Sequence, residues 1–455
     1  MRTRPSGAAP GGAPDRARLS RRGMLGAGAL AAALPLVGCS TPLAAGLLGG
    51  QLNPSTLVYW NLFGGGDGVR MQDMEQGYRD EYGASSLQAT TLAWGNPYYS
   101  KLTLATVGEQ PPDVAIAHLT RAKPLWAGGL LDPITEEDLA GVGLSVDDFN
   151  AQAWSTQRTD DQNIAIPLDT HPFTLFYNKD VCEKAGLLDG DGILEDLTGI
   201  DAFEAALAEI SAVTGGNAIA VANVSETATP WRFFWTLYNQ FDSATPFLSD
   251  DGATISVDEP TFLEVMGTVR KWVDEGWLNS GLDYATSQTA MFTGKAGFYL
   301  QGEWEISTAQ SVEGLDFGMA QIPQLFDKPA VQADSHTFIL PHKDRSPEQR
   351  TQAMQFIRSM LDQSMTWAEG GHVPAYLPTA ESTEYLGLVP QRYYAAAADH
   401  AVYDDPAWYG GSGSTFEATV GAQLGLVQQG VLTPEQALDA IRDQLAIYTS
   451  TPSPL

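Results

Sequence analysis

"IAIPLDTHPFTLFYNKDVCEKAGL" (Ile164–Leu187) places two runs of strand type, IAIPL (with Asn163 before it) and FTLFYN, on either side of a short polar break. β-Branched and aromatic residues bounded by turn-forming ones read as strands. Outward from this stretch the same signal recurs. It precedes it as TLVYW (Thr56–Trp60), SSLQATTLAW (Ser85–Trp94) and PDVAIAH (Pro112–His118), and follows it as AIAVAN (Ala218–Asn223), AGFYLQ (Ala296–Gln301) and HTFILP (His336–Pro341). Helical patterns lie between them. After the glycine-rich FGGGDG (Phe63–Gly68), Met71, Met74 and Tyr78 share one face. Asp258 caps a helix with Pro260 in its first turn, and Phe262, Val265, Val269 and Trp272 form its apolar face as far as Gly276. Ser346 and Pro347 open another, with Ala353, Phe356, Ile357, Met360 and Leu361 inward, and Thr433, Pro434 and Gln436 make a capping-box start for the last. Strands and helices alternate throughout, so the fold class is α/β. No repeat of solenoid length is visible.

A chain of 455 residues exceeds one ordinary core, so two or more lobes are expected. Its composition, 44% hydrophobic and 18% charged, is that of a globular protein. The net charge of −30 argues against nucleic acid or anionic lipid as the main partner. Of the two cysteines, Cys39 and Cys182, neither has metal-site spacing, and a lone thiol cannot staple a fold. No metal or cofactor is expected.

The N-terminal RLSRRGMLGAGALAAALPLVGCS (Arg18–Ser40) opens on arginines and ends at a cysteine. Its apolar part, Gly23–Gly38, has 16 residues, short of the about 20 that a spanning helix needs. A charged start, a short apolar middle and small residues at the end describe an export signal. SRRGML (Ser20–Leu25) resembles the twin-arginine export signal, and LVGC (Leu36–Cys39) resembles the bacterial lipobox. Residues 1–38 are therefore expected to be a signal peptide, Cys39 the lipidated residue, and residues 39–55 a flexible tether.

Five motifs in order carry a wider resemblance. YYSKLTLATVGEQPPDVAIAHLTRAKPLWAGGLLDPI (Tyr98–Ile134), the opening stretch with its YNKD and KAGL, MFTGKAGFYLQGEWEI (Met291–Ile306), GHVPAYLPT (Gly371–Thr379) and LTPEQALDAI (Leu432–Ile441) resemble the extracellular solute-binding proteins of ABC importers. Among these, the chain resembles the sugar-binding class typified by maltose-binding protein. The likeness runs from residue 56 to residue 446 and departs at the acidic LLDGDGILEDLTGID (Leu187–Asp201), where the class has a shorter link. It implies two α/β lobes joined by hinge strands, with crossings near Asp169, Phe317 and Lys343. Residues 56–169 and 317–344 would form one lobe, and 170–316 and 345–455 the other. Ligand would sit in the cleft and favour the closed form, where it touches both lobes.

The partners implied are a sugar or oligosaccharide, the membrane subunits of an ABC permease, and the membrane itself through the lipid on Cys39; the receptor would be a monomer. Sugars offer flat C–H faces to aromatic rings and hydroxyls to carboxylates, amides, Arg and His. Trp304 falls where the class's Gly-x-Trp places a stacking aromatic. Asp169, His171 and Phe173 fall at the crossover that lines the cleft. Thr120 and Arg121 follow a strand end, where open α/β sheets hold ligands. Phe63 and Asp67 in the first glycine turn, Trp94, His372, and Trp408 with Tyr409 on a glycine-rich loop complete the candidates, with Trp231 and Trp235, whose helical spacing equally describes a core. Arg121 is the one cation expected near the cleft, which speaks against a highly anionic ligand.

Other chemistries fit less well. GGGDG lacks the Gly-Lys-Ser/Thr of a phosphate loop and the third glycine of a dinucleotide fingerprint. DGDGILED (Asp189–Asp196) lacks the sixth-position glycine and third acidic ligand of a calcium loop. A secreted glycoside hydrolase with paired carboxylates, Glu303 among them, is the alternative function. No nucleophile elbow or His-Glu-x-x-His occurs, and the six histidines are scattered along the chain. The binder reading, not an enzyme, carries all five motifs.

Overall fold

The computed structural model describes residues 56–454; the expected signal peptide, lipidation site and tether lie outside them. The elements used below, in chain order, are β1 (Leu57–Asn61), α1 (Gly65–Tyr82), β2 (Leu87–Thr91), α2 (Asn96–Val107), β3 (Val114–His118), α3 (Leu119–Ala127), β4 (Ile166–Pro167) and β5 (Asp169–Asn178). They continue with α4 (Ile200–Thr214), β6 (Ile219–Ala220), α5 (Ala228–Asn239), α6 (Glu259–Asp274), α7 (Tyr284–Phe292), β7 (Phe298–Gly302), β8 (Phe317–Gln321), β9 (Val331–Asp334) and β10 (His336–Ile339). Last come α8 (Pro347–Asp362), β11 (Val373–Pro374), β12 (Ala401–Val402), α9 (Thr415–Gln428) and α10 (Pro434–Thr449).

Two sheets organise the chain. The first runs β2–β1–β3–β10–β4, with β1 parallel to β2 and β3, and β10 antiparallel to both its neighbours. The second runs β12–β9–β5–β7–β6, with β8 and β11 also paired to the ten-residue β5. Each sheet has its own apolar core. Around the first pack Met71, Met74 and Tyr78 of α1, Leu102 of α2, and Ala353, Phe356, Ile357, Met360 and Leu361 of α8. Around the second pack Phe203 and Leu207 of α4, the aromatic α5, and Phe262, Val265, Val269 and Trp272 of α6. The architecture is thus a two-lobed α/β fold, and the inward faces read from periodicity are the buried ones.

The helix starts follow local chemistry. Asp258 accepts the Thr261 N–H, and Ser346–Gln349 and Thr433–Gln436 form reciprocal capping boxes with Pro at the first turn of each helix.

Sheet membership departs from expectation in two places. The chain leaves the first sheet after β4 and enters the second at Asp169. The return falls at Ser335, between β9 and β10, and not near Phe317, because β8 is fully paired antiparallel to β5 from Phe317↔Asn178 to Gln321↔Thr174. After β10 the chain stays with the first core through α8, and Trp367 and Tyr376 still belong to it, so no crossing occurs at Lys343. The run FGMAQ is short and carries no mark of which sheet claims it; pairing with β5 is a long-range choice. At the junction the two crossings are tied together: Ser335 Oγ donates to the Asp169 carbonyl at 2.6 Å.

Candidate functional site

The ends of β1 and β3 in the first sheet and the ends of β5 and β7 in the second converge on a cavity of about 310 Å³. Ligands of open α/β sheets collect at carboxyl ends like those of β1, β3 and β7, whereas β5 and β10 meet the cavity at their amino-terminal starts. From the first lobe come Phe63, Asp67, Trp94, His118 and His336; from the second lobe come His171, Trp304, Tyr284 on α7, and Glu226, Ala228 and Arg232 at and on α5.

Trp304 is the best-positioned flat surface. Gly302, two residues earlier, has no Cβ to obstruct the indole, and a Cβ there would run into the ring. This explains why glycine and tryptophan occur at that spacing. The indole Nε1 donates to the Tyr284 hydroxyl at 3.0 Å, which in turn donates to Glu305 at 2.5 Å, and the Arg232 guanidinium lies 5.0 Å from the ring centroid. The ring is fixed by partners on its edge and on one face, as a stacking platform for a ligand requires. Across the cavity, Trp94 is 44% exposed, the most open of these aromatics.

The polar wall is built from imidazoles. His171 and His336 stack at 4.0 Å, with His118 at 4.9 Å from His336 and 5.5 Å from His171. Buried Asp169 orders two of them, accepting from His171 Nδ1 at 3.1 Å and from His336 Nδ1 at 2.8 Å. Burial disfavours the Asp169 charge, but His336 and His171 outweigh it and hold the carboxyl well below its ordinary range. An ionised carboxylate only accepts, so both rings give it Nδ1–H. The Tyr99 hydroxyl accepts from the His118 backbone N–H at 2.9 Å and is hydrogen-bonded to its Nδ1 at 2.8 Å, which fixes the ring. Burial and the neighbouring His336 and His171 push His118 well below its usual pKa, and burial with His336 pushes His171 down to about 3. The wall is therefore made of buried imidazoles held in fixed orientations by Asp169 and Tyr99, suited to hydroxyls.

Six expected residues meet at or directly around this cavity: Phe63, Asp67, Trp94, His171 and Trp304 line it, and Asp169 orients the rings. His372 lies behind the wall, fully buried and stacked on Trp367 at 4.2 Å, with Nε2 3.1 Å from Asp67. The others are elsewhere. Phe173, Trp231 and Trp235 are enclosed in the second core, so their spacing marks packing. Tyr409 is buried and donates to the Gly252 carbonyl at 2.7 Å. Trp408 faces a separate hollow of about 730 Å³ between Lys123, Asp250 and the C-terminal segment, whose lining shares no residue with the cavity. Thr120 is turned to buried Asp334, which accepts its hydroxyl. Arg121 lies 4.2 Å over Tyr99 and donates to Asn96 at 3.2 Å, outside the lining. The cation at the cavity is Arg232.

Sequence reading missed His118, His336, Arg232, Tyr284 and Glu226. His118 had a signal, since it ends the strand whose following residues were chosen. The histidines scattered in sequence are gathered in space, because His118, His171 and His336 sit at strand ends beside the two crossings and His372 follows α8 back to the same point. Glu303 is fully buried, is not part of the lining, and has no hydrogen bond to either carboxylate oxygen, which does not fit a hydrolytic acid facing a substrate.

Two lobes with a ligand-sized, aromatic- and imidazole-lined cavity at their junction define a binding protein of the two-lobed type. The chain belongs to the bacterial extracellular solute-binding protein family, whose model matches residues 91–386. That is a family of binders, not enzymes. No curated protein matches the chain significantly. Among solved structures, the GacH receptor of Streptomyces glaucescens GLA.O, determined unliganded and with acarbose, is similar at TM-score 0.69 and 16% identity over 87% of this chain and 99% of that one. The cyclic α-maltosyl-1,6-maltose binding protein from Arthrobacter globiformis gives 0.67 and 19% over 87% and 99%. UgpB from Mycobacterium tuberculosis, in complex with glycerophosphocholine, gives 0.68 and 15% over 87% and 99%. No helix of the described residues is long and apolar enough to cross a membrane.

Proposed function

We propose that this protein captures a sugar in the cavity between its lobes and delivers it to an ABC permease. The observation that carries the reading is Trp304, seated against Gly302 and lining the same cavity as three oriented imidazoles. Stacking and multiple hydroxyl contacts are what carbohydrate recognition needs. The acarbose and cyclic maltosyl-maltose ligands of its structural relatives support the same class. At about 310 Å³ the cavity is at the low end of ligand sites, about 300–1,000 Å³, which favours one or two sugar rings over a long chain. Function is closure, with hinges at Leu168–Asp169 and at Ser335, followed by docking of the closed monomer. A ligand touching both lobes shifts the equilibrium by its extra affinity for the closed state.

Export through the twin-arginine-like signal and lipidation at Cys39 would keep the receptor on the outer face of the membrane, where a permease can meet it. Labelled palmitate should enter the wild type and not Cys39→Ser; equal labelling of both would remove the anchor from the reading. For the ligand, a thermal-shift screen of mono-, di- and oligosaccharides is decisive. A small sugar should raise the melting temperature without being consumed, and Trp304→Ala should abolish that shift. Release of reducing ends, or an unchanged shift in Trp304→Ala, would contradict it.

A further inference from the structure

At and behind the imidazole wall, four side chains from three separate stretches of chain converge. One ligating atom each from Asp169, His171, His336 and His372 lies within 4.8 Å of all the others, and all four residues are buried. The arrangement is centred on the carboxylate: the Nδ1 atoms of His171, His336 and His372 stand 3.1, 2.8 and 3.1 Å from its oxygens. Glu303 approaches from the second lobe, its Oε1 3.1 Å from His372 Nδ1.

Hydrogen bonding alone leaves this cluster incomplete. His372 Nδ1 is fully buried, close to two carboxylates, and aligned for a hydrogen bond to neither. Both Glu303 oxygens are likewise buried without a hydrogen bond. Buried polar atoms are satisfied in the great majority of cases, and an ion is one of the few explanations for such orphans.

We propose that Asp169, His171, His336 and His372 form a binding site for a divalent transition-metal ion of the zinc type, with Glu303 available to complete or exchange in its coordination. Three imidazole nitrogens and a carboxylate oxygen are borderline ligands that suit Zn²⁺ and its neighbours, whereas Ca²⁺ and Mg²⁺ require oxygen sets. Bonds of about 2.0–2.2 Å place tetrahedral ligands roughly 3.4 Å apart. The carboxylate-to-nitrogen separations are already near that value, and the widest pair must close by about 1.4 Å, within reach of side-chain adjustment. The supporting partners are also in place. Asp67 accepts from His372 Nε2 at 3.1 Å, the carboxylate–histidine arrangement that fixes a ligating ring. Trp367 Nε1 and the His336 backbone N–H each hold an Asp169 oxygen at 2.7 Å.

The ion would tie β5 of the second sheet to β10 of the first at the crossings. With their Nδ1 atoms on the metal, His171 and His336 would carry their protons on Nε2, and so present donors to the cavity. The site thereby sets the polarity of the wall that the ligand meets.

Tag-free full-length protein, stripped with chelator and reloaded with Zn²⁺ or Co²⁺, tests this by elemental analysis after desalting. The wild type should retain about one ion per chain, and the Co²⁺ form should show the visible absorption of a low-symmetry, nitrogen-rich site. His336→Ala and His372→Ala should lose the ion, and Asp67→Asn should weaken Zn²⁺ binding by about 10–100-fold. His342→Ala, at an exposed histidine outside the cluster, should retain it. Circular dichroism of each metal-free variant reports its folding; where an alanine variant fails to fold, His171→Gln replaces it. A stripped wild type that takes up no ion, or site variants that keep it as well as His342→Ala does, would overturn the proposal. Metal content is read without sugar, so this result and that of the carbohydrate screen are separate.

Discussion

Trp231 is fully enclosed, 5.0 Å from both the Trp235 and Phe416 rings, and its Nε1 donates to Asp404 at 3.0 Å. Trp304 is half-buried with a face toward the cavity. The same substitution should therefore separate stability from binding. Trp231→Ala removes a close-packed ring and should cost about 3–5 kcal/mol, read as a large fall in melting temperature. Trp304→Ala should leave the unliganded melting temperature nearly unchanged while abolishing the sugar-induced shift. The partner of Trp231 adds a pH dependence. Burial, with the charges of Glu417 and Asp334, raises Asp404 to about 8, and burial, opposed by Arg232, raises Glu417 to about 7. Unfolded, these carboxyls lose their protons near pH 4, so above that the folded state binds more protons than the unfolded one. The stability they contribute is therefore full below about pH 4 and declines as pH rises toward 8. Asp404→Asn keeps the acceptor for Trp231 and should flatten the fall in melting temperature between pH 5 and pH 8; an unchanged slope would show that Asp404 is ionised throughout. Residues of this kind mark the limit of sequence reading. Trp231 and Trp235 carry a helical spacing that serves a core and a site equally, and His336 looks like any strand-initiating residue until β10 is placed beside β3 and β5.

Helix and strand identity was far more legible than site chemistry, because periodicity and caps are local. The inward faces of α6 and α8 and the capping boxes at Ser346 and Thr433 all follow from residues three or four apart. Which sheet a strand joins is not local, and β8 shows it: five residues without a strong alternation are assigned only by pairing along β5. Helical glycines give a test at this scale, since composition cannot tell one that is merely tolerated from one that is required. A Cβ on Gly421 of α9 would collide with the backbone carbonyl of Thr227, at the start of α5, whereas one on Gly267 of α6 meets nothing within 4 Å. Gly267→Ala should stabilise by up to about 1 kcal/mol through helix propensity. Gly421→Ala has the same propensity gain but must push α9 off α5, and should lower the melting temperature. Equal effects of the two substitutions would mean that the α5–α9 contact is loose.

At the scale of the molecule, the question is whether opening of the larger core and occupancy of the cleft are one event. Cys182 is a built-in reporter. It is fully buried in the second core, its thiol is pushed up to about 12 by burial, and it is the only cysteine among the described residues. With Cys39→Ser it becomes the sole thiol of the chain. Native protein should then react with a maleimide only through opening, since neither access nor thiolate is available in the closed core. If reaching Cys182 requires the second lobe to come apart, Trp304, His171 and Arg232 lose their positions in the same step, and bound sugar must be released first. Labelling in the regime where reclosing outpaces reaction should then slow by about 1 + [L]/Kd, roughly 100-fold at ligand one hundred times Kd. If only the short helix Lys179–Lys184 frays, the cleft survives the opening and ligand leaves the rate unchanged. Such a ligand-independent rate would mean that the lobe behind the cleft opens piecemeal and that only its β5–β7 edge is coupled to binding.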